Sequence, residues 1–257
     1  MWPAEVHMIE RISHGTVHEL RLQRPPVNAL SPELLQAVAD GVREAPRQGA
    51  EAVVLSGGEG VFSGGLDLPV LVELDRTRLE AALEIFFDAM AALAESKVPV
   101  VAAITGHSPA GGAVLAMFCD WRVMAAGKYV IGLNEVRIGF PMPVVVADVA
   151  TRIVGPRHAE TLCVTGELMS PERALEIGLV DAVAPPEKVV AEAIRWCEKC
   201  LESPPDTLAA TRATMRGDLV ELVARSRSSD LAAITALWFE PAMQRGLRAV
   251  VDGLKKK

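Results

Sequence analysis

Three short segments carry residue types whose spacing could do chemistry. Phe62-Ser63-Gly64-Gly65-Leu66-Asp67-Leu68 and Ser108-Pro109-Ala110-Gly111-Gly112-Ala113 each set small residues beside an expected helix start. Paired glycines let backbone approach a ligand without a Cβ in the way. A helix N-terminus adds unpaired N–H groups and partial positive charge. Either loop alone is what any tight strand-to-helix turn requires. Together, their N–H groups could converge on one carbonyl oxygen as an oxyanion hole, each donor contributing roughly 2.7–4 kcal/mol in a transition state. The third segment, Ile131-Gly132-Leu133-Asn134-Glu135-Val136, places an acid between apolar stretches. A carboxyl held there has its pKa raised and can carry a proton near neutral pH. In isolation, Glu135 could equally be a surface acid or the partner of Arg137.

Other chemistries find less support. Ser63 and Ser108 do not stand in GxSxG, and the neighbouring His107 and Ser108 would seldom face each other. There is no P-loop and no GxGxxG. No spacing suggests a catalytic metal. Cys197 and Cys200 form a CxxC that no second pair completes, so they are expected as thiols on a helix face.

Composition bounds the partners. Half of the 257 residues are hydrophobic and 23% are charged, enough for a sizeable core. The net charge of −7 argues against general nucleic-acid affinity but leaves room for a small anionic ligand bound by local dipoles. Lys255-Lys256-Lys257 is expected as a solvated tail. The start, Met1-Trp2-Pro3-Ala4-Glu5, lacks signal-peptide character, and no apolar run reaches spanning length. A soluble, cytoplasmic protein is expected, with no membrane or nucleic-acid partner.

The elements needed to position these loops alternate between strand and helix. Val6–Leu22 predicts a hairpin turning near His14-Gly15. Ser31-Pro32 caps a helix with Leu34, Leu35 and Val38 on its apolar stripe. Strands are expected at Ala52–Leu55, Val100–Ile104, Trp121–Met124 and Tyr129–Ile131. A helix of about twenty residues carries Leu79, Leu83, Phe86, Phe87, Met90 and Leu93 at helical spacing. Shorter helices are expected at Ala113–Phe118 and from Ser170-Pro171 to Gly178, and from Glu187 only helix signals continue. Parallel strands with crossover helices fit, an α/β fold with a helical end.

Across nearly the whole chain the sequence resembles the crotonase, or enoyl-CoA hydratase/isomerase, superfamily. The likeness rests on Arg24-Pro25-Pro26-Val27-Asn28-Ala29-Leu30-Ser31, Gly60-Val61 with the first loop, Pro99–Gly106, Pro109-Ala110-Gly111-Gly112, Cys119-Asp120, Ser170-Pro171-Glu172-Arg173-Ala174 and Gly178-Leu179-Val180-Asp181. The resemblance implies a crotonase-like spiral of ββα turns over residues 1–200. It assigns residues 201–257 to a helical C-terminal region for assembly, with trimers or dimers of trimers. It implies an acyl-CoA thioester substrate and no cofactor, coenzyme A being part of the substrate. It makes the N–H groups of Leu66 and Gly111 the oxyanion donors. Val27, Ala29, Ser63, Gly64, Gly65, Asp67 and Leu68 would line the path of pantetheine and adenine, and Asn134 would position the thioester or Glu135.

Hydratases of this family hold their water between two glutamates. Here the first of those positions is Val114, and only Glu135 remains. That pattern, with Gly-Leu-Asp-Leu and Gly-Leu-Asn-Glu, resembles the Δ3,Δ2-enoyl-CoA isomerase branch. Gly64, where alanine is usual, and Phe140-Pro141-Met142-Pro143 depart from it. Hydration or another enolate chemistry using an acid elsewhere, such as Asp148, is the alternative. A non-catalytic scaffold or RNA-binding role is more remote, because Glu187–Leu201 is mixed in sign.

Overall fold

The computed structural model describes residues 8–254, so the expectations for the first five residues and the terminal lysines lie outside the described residues. Two sheets form the frame. The larger has the order β1 (Ile9–His14), β2 (Val17–Leu22), β3 (Ala52–Ser56), β5 (Val100–Ile104), β7 (Trp121–Ala125), β10 (Ala182–Ala184). The smaller has the order β4 (Gly60–Val61), β6 (Gly106–Pro109), β8 (Ile131–Gly132), β9 (Leu168–Met169). Among the described strand pairs, β1–β2 and β8–β9 are antiparallel and the others parallel.

Between them runs a repeated ββα turn. β3 and β4 precede α2 (Leu68–Leu71) and α3 (Arg76–Glu95). β5 and β6 precede α4 (Gly111–Met117), and β7 and β8 precede α5 (Val144–Thr165). Each turn gives one strand to each sheet, then a helix. β3 and β5 are buried along their full length, as apolar parallel strands covered on both faces must be. Val53, Leu55, Ala102 and Ile104 face the layer of α1 (Pro32–Glu44) and α3. Val54, Val101, Ala103 and Val123 face α7 (Val189–Leu201), where Cys197 is buried and Cys200 half-buried, both as free thiols.

Sequence-local signals set the helix starts. The Ser31 hydroxyl accepts from Leu34 N–H at 3.3 Å, Asp75 caps α3 through Arg78 N–H at 2.9 Å, and Ser170 caps α6 (Pro171–Glu176). The expected strand at Tyr129–Ile131 is displaced to Ile131–Gly132. Val130 N–H is taken by the His107 ring nitrogen instead of a ladder partner. The expected helix at Ala113 begins two residues earlier, at Gly111.

The C-terminal helices α8 (Pro205–Trp238) and α9 (Pro241–Leu254) are pinned by buried charge. Arg212 donates to the carbonyls of Leu93, Ala94 and Ser96 at the end of α3, and Arg216 to Phe118 O after α4. These are the helix ends where a cation is favoured. Asp120 answers both arginines and also accepts Val100 N–H at 2.7 Å. Asp230 of α8 caps α5 from outside, accepting Val144 N–H at 3.0 Å and Val145 N–H at 2.9 Å. Asp230→Ala is therefore expected to lower folding stability by about 1–2 kcal/mol, in the range of a lost N-cap. Urea unfolding measures this; a change under about 0.3 kcal/mol would show that the cap does not hold α5.

Candidate active site

The two glycine loops meet. β4 and β6 pair in parallel, Gly60 with Gly106 and Val61 with His107, which brings their downstream ends together. A methyl group at Gly65 would stand 3.1 Å from Ala110 Cβ and 3.3 Å from Gly111 N, and one at Gly111 would stand 3.2 Å from Leu66 N. Gly65 takes φ +87°, a left-handed conformation that a side chain would strain. Ala110 takes φ 48° and ψ −124° immediately before Gly111. Such backbone costs on the order of 1–3 kcal/mol and collects at functional sites. It is held by Ala110 N–H donating to Gly132 O at 2.8 Å.

Neither Leu66 N–H nor Gly111 N–H donates a hydrogen bond among the described residues. Leu66 is flanked by bonds that its own amide does not share: Leu30 N–H donates to Gly65 O at 2.8 Å, and Asp67 N–H to Leu30 O at 3.2 Å. Gly111 is the first residue of α4, where an amide has no intrahelical acceptor. Two free donors thus lie side by side.

Residues 24–29 support the first loop. Asn28, buried at φ 48°, donates through Nδ2 to Phe62 O and accepts Arg24 N–H through Oδ1. Ser63 donates its hydroxyl to Asn28 O at 2.8 Å and accepts Gly65 N–H. Gly64 N–H donates to Val27 O at 2.7 Å. Arg24 reaches both Ala29 O and the Asp67 carboxylate, and Asp67 caps α2 by accepting Val70 N–H. Arg24, Asn28 and Ala110 carry no chemistry recognisable in sequence. Asn28 alone gives a hint, because asparagine tolerates positive φ. Val27 and Gly64 are exposed beside the loop, while Ala29, Leu66 and Leu68 are half-buried.

Glu135 is carried by the third ββα turn, after the strand that neighbours β6. β8 pairs with β6, Pro109 opposite Gly132, and three residues later Glu135 opens a 3-10 turn, Glu135–Ile138, closed by left-handed Gly139. Glu135 is 9% exposed, and its Oε2 is buried without a hydrogen-bond partner, as is Asn134 Oδ1. Burial pushes its pKa up from 4.5 to about 7, against the opposing effect of its own backbone N–H. Arg137 does not neutralise it, since its Nε donates to Thr165 O. Cys163 of α5 feels the Glu135 charge, and burial first, then that charge, pushes its thiol up to about 11. Asp148 points elsewhere, paired with Arg225 at 3.1 Å on the surface. Val114 lies in the core at 1% exposure.

The chain and its fold have counterparts among known proteins. The family described as enoyl-CoA hydratase/isomerase matches residues 13–256. The chain belongs to that family. Mouse mitochondrial enoyl-CoA delta isomerase 1 is 32% identical over 253 residues, spanning 97% of this chain and 88% of the relative. A Mycobacterium tuberculosis protein that carries the name "Probable enoyl-CoA hydratase EchA17" is 35% identical over 210 residues, spanning 81% of this chain and 79% of the relative. The crystal structure of human mitochondrial delta3-delta2-enoyl-CoA isomerase superposes with a TM-score of 0.92 at 28% identity, covering 97% of this chain and 98% of that one. The fold is that of this enoyl-CoA hydratase/isomerase family, with its helical C-terminal region, as the resemblance implied. Among the described residues no cluster of three metal-ligating side chains occurs, and no helix is long and apolar enough to cross a membrane.

Proposed function

We propose that this family member is a Δ3,Δ2-enoyl-CoA isomerase working with one acid/base, Glu135. The thioester carbonyl oxygen of a 3-enoyl-CoA accepts the N–H groups of Leu66 and Gly111. The Glu135 carboxylate removes a proton from C2, and the electron pair spreads through the C3–C4 double bond into a dienolate. Its negative charge rests on the oxygen between the two amides. The carboxylic acid then returns the proton at C4, leaving the double bond between C2 and C3. Asn134 positions the thioester or the carboxyl, and Val27, Ala29 and the Ser63–Leu68 loop line the coenzyme A path. The chemistry needs no metal or redox cofactor, and the acting form is a trimer or a dimer of trimers.

The observation that carries the reading is the buried, unpartnered Oε2 of Glu135. Val114 stands where the resemblance implies a hydratase's second acid. A base poised near neutral pH transfers protons in both directions with little bias. Hydration is the second reading, favoured by the name of the mycobacterial relative. It lacks the second carboxylate to orient the water.

The test is a panel of 3-enoyl-, 2-enoyl- and 2,4-dienoyl-CoA thioesters, followed for double-bond movement and water uptake. Isomerisation of 3-enoyl-CoA without water uptake is expected; robust hydration of crotonyl-CoA would overturn the assignment. The pH dependence follows from the burial of Glu135. Proton removal needs the carboxylate, so kcat/KM is expected to fall on the acid side with a midpoint near 7. A limb near 4.5, the ordinary carboxylate value, would show that burial does not raise the pKa of the base.

A further inference from the structure

Helix α9 touches both walls of the site. Its buried stripe, Met243, Leu247 and Val251, lies in the same core as Leu71 and Val72, which follow the first oxyanion loop, and as Phe140, which follows the Glu135 turn. It packs against α2 on one side and the 3-10 turn Glu135–Ile138 on the other. Arg248 reaches Glu73, just beyond α2, at 3.1 Å. Both ends of that pair are more than half exposed, so it contributes little by itself. The close contact is at Gly246. A methyl group there would stand 3.1 Å from the carbonyl oxygen of Ile138, the last residue of the turn that Glu135 opens.

Gly246 sits inside α9 with no positive φ, so the backbone does not ask for glycine, and a helix interior favours alanine. What glycine permits here is approach. From this we infer that Gly246 is a positioning residue through which α9 braces the Glu135 turn against the α2 wall, fixing the carboxyl opposite the Leu66 and Gly111 amides. The inference rests on the proposed role of Glu135. A side chain at 246 would lift α9 or tilt the turn. Either shift moves the carboxyl relative to the C2 and C4 protons, a displacement to which proton transfer is far more sensitive than binding of the coenzyme A moiety. It would also open Glu135 to water, which lowers a pKa that burial had raised. Among the charged and titratable neighbours, Cys163 stays protonated throughout the range and Arg137 is held on Thr165 O, so the acid limb reports Glu135.

The experiment compares Gly246→Val and Gly246→Ala with Gly253→Ala, a helical glycine of α9 whose added methyl would meet nothing within 4 Å. Turnover, the affinity for a saturated acyl-CoA that cannot react, and the acid limb of kcat/KM are measured on the full chain. Gly246→Val is expected to lower kcat by about tenfold to a hundredfold. Its acid limb should move down by about half a pH unit or more, with acyl-CoA affinity held within about threefold. Gly246→Ala should follow in the same direction by less, and Gly253→Ala should match the wild type in all three. Wild-type kcat and acid limb in Gly246→Val, or in Gly246→Ala should the valine variant not fold, would overturn the brace. So would a Gly253→Ala that matched Gly246→Ala. Should Glu135→Gln remain active, the proposed function itself falls; should that variant be dead and Gly246→Val normal, only the brace does.

Discussion

Glu135→Gln is expected to lower kcat by about a thousandfold or more, within the range for loss of a general acid/base, while a saturated acyl-CoA binds within about threefold of wild type. The amide keeps the shape of the carboxyl but cannot accept the C2 proton or return one at C4. A loss below tenfold in a single-turnover assay would remove Glu135 from the mechanism. The same substitution should change the pH dependence of stability. The carboxyl titrates at about 7 in the folded chain against 4.5 when exposed, so between those values the folded state holds a proton that the unfolded state has lost. Wild-type stability therefore falls as pH rises through that window. The rise in pKa corresponds to on the order of 3 kcal/mol at pH 8, a destabilisation that the glutamine variant does not suffer. Urea unfolding at pH 5 and pH 8 should show the gap between the two proteins shifting in favour of the variant at the higher pH. On the proposed mechanism, that stability is given up to keep the carboxyl unpartnered and dry.

Much of this was legible in the chain because the signals are local. Ser31-Pro32 and Ser170-Pro171 cap helices where they stand, and Leu79, Leu83, Phe86, Phe87, Met90 and Leu93 mark the buried face of α3. The apolar runs of β3 and β5 are buried on both faces. What stayed hidden depends on distant partners. β4, β8 and β9 are two residues long, defined by who lies alongside and not by any period of their own. α5 has no helical pattern to read, because Gly155 at φ 74° and Pro156 break it, and the residue that caps it, Asp230, lies 86 positions away from Val144. Glu135 stood out as an acid among apolar neighbours, but its freedom from Arg137 is settled only by the packing of α5, which offers Thr165 O to the guanidinium. The hydrogen bond from the Ser63 hydroxyl to Asn28 O crosses 35 residues and leaves no trace in composition.

Gly65→Ala should be the sharpest test of the two amides, and its neighbour supplies the contrast. At Gly65 the backbone is left-handed, and the new methyl would meet Ala110 Cβ at 3.1 Å and Gly111 N at 3.3 Å. Both contacts are with the strained turn that aims Gly111, so relief can come only by separating the loops or rotating the Leu66 peptide. Either movement breaks the convergence of the two donors, and loss of one oxyanion donor costs about 10²–10³ in kcat. At Gly64 φ is not positive, and the nearest atoms to a new methyl are Val27 Cγ2 at 3.2 Å and Val27 Cβ and O at 3.4 Å. Val27 is 45% exposed and its side chain can turn aside. Gly64→Ala is accordingly expected to stay within about threefold of wild type, since its one tight contact is with the end of a movable side chain. Gly65→Ala also carries the strain of a left-handed φ that Gly64→Ala escapes, so turnover is compared under conditions where urea unfolding shows both variants folded. If Gly65→Ala turned over 3-enoyl-CoA as fast as Gly64→Ala, the negative charge of the intermediate would have to be held somewhere other than between Leu66 and Gly111.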